Sequence, residues 1–200
     1  MRDYDIDYFI EKEESGVIFA KITKRDNDNN IHGGYFCYFN WIGKVLDCNE
    51  NHFECGTTTI EPLEVALGYF HYGDQIAILS FTNLKKELND IKFAGYDNGK
   101  KNCYEVNAIY VQNVLPMNKK STIDYLMQNV SKEYWMDYSY KMAAQHLRER
   151  GEDNLTDYFV ESICNVINGD KQDDIQDKDK NEENKIQHSF LKKLFSKNQV

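Results

Sequence analysis

The sequence predicts an α+β fold: an N-terminal antiparallel β-rich sheet or partly open barrel, packed by about three C-terminal helices and followed by a disordered linker and a short amphipathic helix. Three observations predict it. β-branched and aromatic runs recur between polar turn clusters over the first 115 or so residues. After Pro116 the apolar side chains recur at helical spacing instead. Residues 170–184 then hold one apolar side chain, Ile175, in fifteen, too few to offset the entropy of ordering that stretch. A chain of 200 residues accommodates one domain with a tail. The boundaries read as a single α+β domain over 1–168, a disordered acidic linker over 169–185 and a short basic amphipathic helix over 186–197.

The elements follow in chain order. Asp3, Asp5 and Asp7 alternate with Tyr4, Ile6 and Tyr8, which reads as an edge strand with an acidic solvated face and an apolar packed one. Strands over Gly16–Thr23 and Gly34–Ile42 flank the cluster Asp26–Asn30, whose side chains bond their own backbone, so a hairpin with a long exposed tip is expected. Further strands are expected at Lys44–Asp47, at His52–Cys55 or Thr57–Ile60, at Gln75–Phe81 and at Tyr104–Val114. Glu61–Gly68 reads as a helical turn with Pro62 at its first position and Gly68 as its stop, and Asn83–Asn89 as a short helix. The later helices are expected from Ser121, where Asp124 completes a capping-box spacing, over 131–150 before Gly151, and over 154–168 before Gly169.

Charge divides the chain further. The total of −9 comes chiefly from residues 1–118, which carry 11 basic and 18 acidic side chains, whereas residues 184–200 hold four lysines and no acid. An acidic domain with only four arginines is a poor match for nucleic acid, whose phosphates and guanines are read by arginine. No window reaches the ~18–20 apolar residues of a membrane-spanning helix. Five cysteines at irregular spacing suit free thiols in a reducing compartment, and three acids in the first seven residues oppose a signal peptide, so a cytoplasmic location is expected.

Few constellations carry chemistry. Cys48, His52 and Cys55 offer three soft ligands in eight residues, with Cys37 and His71 elsewhere, but no second pair stands at a zinc-site distance, and packing is the plainer role. No metal or cofactor is expected. Alternating Asp3, Asp5 and Asp7 read as a solvated terminus before a cation site. Cys37, Cys103 and Cys164 sit in apolar segments that favour burial over nucleophilic use. Phosphate-loop, dinucleotide, nucleophile-elbow and H-E-x-x-H motifs do not occur. An enzyme with dispersed residues, a hydrolase or transferase, would draw on His71, Asp74, His146 and Glu149. The surplus of aromatics, as in Tyr134–Tyr140, suits an interface. In the tail, Phe190, Leu191, Leu194 and Phe195 make an apolar stripe among lysines, a partner-binding or self-docking peptide before a lipid-binding one. The leading expectation is an acidic, non-catalytic protein that binds another protein, such as an inhibitor or mobile-element accessory factor.

Overall fold

Asp5 ends the first strand and starts the first helix: its side chain accepts from Tyr8 N at 3.0 Å, the bond of an N-cap. The computed structural model describes residues 3–23, 38–51, 53, 56–70, 73–88, 91–100, 102–136 and 140–168. β1 (Asp3–Tyr4) therefore stops after two residues and α1 (Ile6–Glu14) follows. The alternating strand expected over Asp3–Tyr8 is corrected by this cap and by the i, i+3, i+4 spacing of Ile6, Phe9 and Ile10, which brings fully buried Phe9 inward. Gly16, at φ +92, turns the chain out of α1.

The order continues with β2 (Phe19–Thr23), β3 (Lys44–Asp47), β4 (Thr58–Pro62), α2 (Leu63–Leu67), β5 (Gln75–Leu79), α3 (Phe81–Glu87), β6 (Gly95–Asp97), β7 (Tyr104–Val106) and β8 (Ala108–Pro116). α4 (Lys120–Asn129), α5 (Lys132–Met136), α6 (Tyr140–Glu149) and α7 (Asp153–Asn168) complete it. The strands make one curled sheet in the order β1-β6-β7-β4-β2-β5-β8-β3, antiparallel at every recorded pairing, so the fold is α+β with a partly open barrel. The chain divides into Met1–Ile167 and Asn168–Val200, and the sheet belongs to the first. The linker expected over 169–185, the helix expected over 186–197 and the expected hairpin tip lie outside the described residues.

Several expected elements shift for local reasons. The described end of the Gly34–Ile42 run, Tyr38–Trp41, is a turn of 3-10 helix. Tyr104–Val114 is divided at Asn107, whose Oδ1 accepts from Ala94 N at 2.7 Å and whose Nδ2 donates to Lys92 O at 2.8 Å. β6 pairs there and was not legible as a strand from three residues. Pro62 ends β4 and stands one residue outside α2, at its N-cap position without a capping bond, while Gly68 is the expected stop. Ser121 is inside α4, because the helix starts at Lys120; Asp124 instead accepts a bond from Tyr158 of α7. Of the helix expected over 131–150, the described residues form α5 and α6, and 137–139 lie outside the described residues. Gly151, at φ +76, ends α6 as expected, with Gly151 N donating to Arg148 O and Glu152 N to Leu147 O.

Both faces of the sheet are covered, which is why all five residues of β5 are buried. One core gathers Phe19, Ile60, Ala77, Leu79, Tyr104 and Val106 from the sheet with Phe9, Phe81 and Leu84 from α1 and α3. By alternation Ala20, Ile76 and Ile78 point the other way. α2 packs on β2 and β4, and Ser131, just before α5, donates through its backbone to Glu64 of α2. Glu13 locks α1 to α3: its carboxylate accepts from Phe81 N at 2.6 Å, Thr82 N at 2.9 Å and Thr82 Oγ1 at 2.7 Å. These are charge-assisted bonds to the otherwise orphaned first turn of α3. Glu13→Ala is expected to cost about 1–3 kcal/mol, against less than ~0.5 kcal/mol for exposed Glu14→Ala, as read from urea unfolding midpoints.

Candidate functional site

β1, the start of α1 and the β6–β7 hairpin enclose an open cleft of about 370 Å³. Tyr4, Tyr8 and Tyr104 form one wall; Asp97, Gly99, Lys100 and Asn102 form the other, and nearly buried Cys103 completes the lining. The tyrosines are held by each other. The Tyr4 and Tyr8 rings stack at 4.2 Å, Tyr104 meets Tyr4 edge-on at 5.6 Å, and the hydroxyls of Tyr8 and Tyr104 lie 3.1 Å apart.

The opposite wall is a turn that the sequence Asp97-Asn98-Gly99 dictates. Asp97 Oδ1 accepts from Gly99 N at 2.8 Å and Asn98 Oδ1 accepts from Lys100 N at 3.0 Å. Gly99 takes φ +82, and Asn102 takes φ +57, a left-handed conformation that asparagine tolerates better than most residues.

Behind the cleft runs a buried polar chain. Asn98 Nδ2 donates to Cys103 Sγ at 2.9 Å, and that thiol donates to Glu61 Oε1 at 3.3 Å. Glu61 is only 8 % exposed. Burial pushes its carboxyl above the usual carboxylate range, opposed by the Cys103 bond and the positive charges of Lys21 and Lys100. Lys21 donates to Thr59 O at 2.8 Å, and burial lowers its ammonium, with Glu61 acting in the other direction. The Cys103 thiol is pushed up to about 11 by burial and then by the Glu61 charge, so it is a thiol at neutral pH and not an activated nucleophile. Burial also raises Tyr104, and its bond with Tyr8 adds to the shift.

The residues singled out from sequence do not meet here. Cys48 is fully buried, its thiol pushed up to about 12 by burial and by Asp47, and it donates to Val106 O at 3.7 Å. His52, Cys55, Cys37 and His71 lie outside the described residues, as do Phe190, Leu191, Leu194 and Phe195. Asp74 pairs with Arg150 at 3.3 Å, His146 meets the Phe70 ring at 5.6 Å between centroids, and Glu149 accepts from Gln145 at 2.8 Å; none of them lines the cleft. Among the described residues, no group of three or more His, Cys, Asp or Glu stands ready for a metal ion, and no helix is long and apolar enough to cross a membrane. Sequence reasoning missed Tyr4, Tyr8, Asp97, Lys100, Asn102 and Tyr104. Two signals pointed to them: the i, i+4 spacing of the first two tyrosines and the Asp-Asn-Gly turn.

Comparison of the chain with protein-family models, curated proteins and solved structures gives no match.

The raised carboxyl of Glu61 sets a pH dependence. A carboxyl whose folded pKa exceeds its free value of ~4.3 binds more protons when folded, so its contribution is complete below that value and is lost as pH rises through the raised one. Glu61→Gln keeps an oxygen for the Cys103 thiol and removes the titration. Its stability relative to the parent chain is expected to increase as pH rises from about 4 towards neutrality, measured by urea midpoints across that range. A pH-independent difference would contradict the assignment. Cys103 is also expected to resist iodoacetamide at neutral pH in the folded chain and to react once unfolded, as mapped by peptide mass spectrometry.

Proposed function

We propose that this chain is a small acidic cytoplasmic protein that binds another, basic protein and has no catalytic activity of its own, the role of an inhibitor or accessory factor. The distribution of carboxylates carries this reading. Asp3, Asp5, Asp7, Glu11 and Glu14 are exposed along β1 and α1, next to the cleft, whereas Glu13 of the same helix is spent on holding α3. Asp7 pairs with Lys85 at the surface. Asp5 caps α1, and Asp3, Glu11 and Glu14 are left to act on a partner.

Like charges gathered on one exposed helix repel each other and cost stability, a cost that a basic partner relieves. They also steer such a partner into place over roughly a Debye length, ~8 Å at physiological ionic strength. The protonated state of Cys103 and Cys48 supports binding over covalent catalysis, since each lacks the lowered pKa of a working nucleophile. The basic segment with Phe190, Leu191, Leu194 and Phe195 is assigned a second, hydrophobic contact with a partner, on its composition alone.

The test compares the full chain with a variant carrying Asp3→Asn, Glu11→Gln and Glu14→Gln in recovery of a partner from the native host. A basic protein should be retained by the parent chain at about 0.05 M salt, released at about 0.5 M, and lost by the variant. Retention of the same proteins by both chains, or of none by either, would reject the reading.

A further inference from the structure

We propose that the tyrosine cleft receives an arginine side chain of the partner, its guanidinium against the Tyr8 ring and its charge opposed by Asp97; this rests on the protein-binding reading above. Three observations lead to it. First, the cleft of about 370 Å³ is open and lies toward the lower end of the ~300–1,000 Å³ range of ligand pockets, a size for one long side chain reaching in from another molecule.

Second, the Tyr8 ring already attracts a cation. Lys12, one helical turn on, holds its Nζ 5.6 Å from the ring centroid, within cation–π range. Its ammonium is exposed and strongly hydrated, so a planar, more weakly hydrated guanidinium can displace it from the ring.

Third, carboxylates stand where an arriving cation can pair with them. Asp97 lines it, and Asp3 stands beside it through the pairing of β1 with β6, where Asp3 faces Tyr96. Lys100 is the opposing charge among the lining residues and also acts on Glu61 and Cys103. Tyrosine hydroxyls and the Asn102 amide add acceptors, which suit the five N–H donors of a guanidinium better than the three of an ammonium.

The test titrates the full chain with a capped hexapeptide alternating arginine and glycine, and with its lysine and glutamate counterparts, following tyrosine fluorescence and ring resonances. The arginine peptide should bind most tightly and the glutamate peptide not at all. Asp97→Asn keeps the oxygen that accepts from Gly99 N and removes only the charge, so the hairpin survives. Asp97→Asn and Tyr8→Leu should each weaken binding about five-fold, Tyr8→Phe should match the parent within about two-fold, and Lys12→Ala should tighten it. Thermal melts check folding; if Tyr8→Leu unfolds, Asp97→Asn and Lys12→Ala decide.

An arginine peptide that fails to bind, that binds the parent and Asp97→Asn alike, or that binds less tightly than the glutamate peptide would overturn the proposal. In each of those cases a partner still captured through the acidic face of α1 leaves the protein-binding reading standing. Failure of that reading shows instead as capture indifferent to salt and to the α1 substitutions.

Discussion

The ring of Phe9 is the contact on which the rest of the domain depends. Fully buried, it stacks on Phe81 at 4.6 Å and meets Phe19, Phe93 and Tyr104 edge-on at 5.5, 5.7 and 5.3 Å. Those partners come from α3, β2, the strand approach before β6, and β7, so one side chain near the N-terminus ties together elements from both halves of the sheet. β6 must cross closely to permit this: a Cβ at Gly95 would fall 2.7 Å from Phe9 Cε2, closer than real Cβ contacts. Removal of such a ring costs about 3–5 kcal/mol, a large share of the ~5–15 kcal/mol that keeps a domain folded.

The cleft is a consequence of that aromatic centre. Tyr4 and Tyr8 both precede Phe9 in sequence, and both rings pack against it edge-on, at 6.2 and 5.3 Å. Placing Phe9 in the core leaves the two tyrosines partly buried at its margin, with the Tyr8 hydroxyl meeting Tyr104 of the hairpin. Core and cleft wall thus share one segment, Asp3–Glu14. The same segment holds the exposed carboxylates and, through Glu13, the start of α3. A shift of α1 would therefore disturb both the core and the start of α3.

The interior charges follow a different rule. Glu61 and Cys103 are buried and Lys21 is half-buried beside them, and each has its pKa moved toward the neutral form mainly by loss of water. Desolvation wins there because few full hydrogen bonds compensate it: Glu61 receives the Cys103 thiol, a weak donor. Such a chain is suited to holding the β6–β7 hairpin against β4, and unsuited to nucleophilic chemistry at neutral pH.

By itself the sequence determined what depends on near neighbours. Periodicity established the α+β class, the strand Lys44–Asp47, the strand Gln75–Phe81 except for its last two residues, where Ser80 caps α3 and Phe81 begins it, the short helices α2 and α3, and the stops at Gly68 and Gly151, because each follows from residues a few positions apart. It misread Asp3–Tyr8 because period 2 and period 3.6 cannot be separated over six residues, and the N-cap bond of Asp5 decides for the helix. The tertiary structure alone decided the strand order, which places β6 and β7 between β1 and β4, and with it the cleft. Tyr4 and Tyr104 are a hundred positions apart, and Glu61 lies 42 from Cys103. Contacts of that separation leave no local period, since they are selected by which surfaces remain to be buried once every helix and strand has formed.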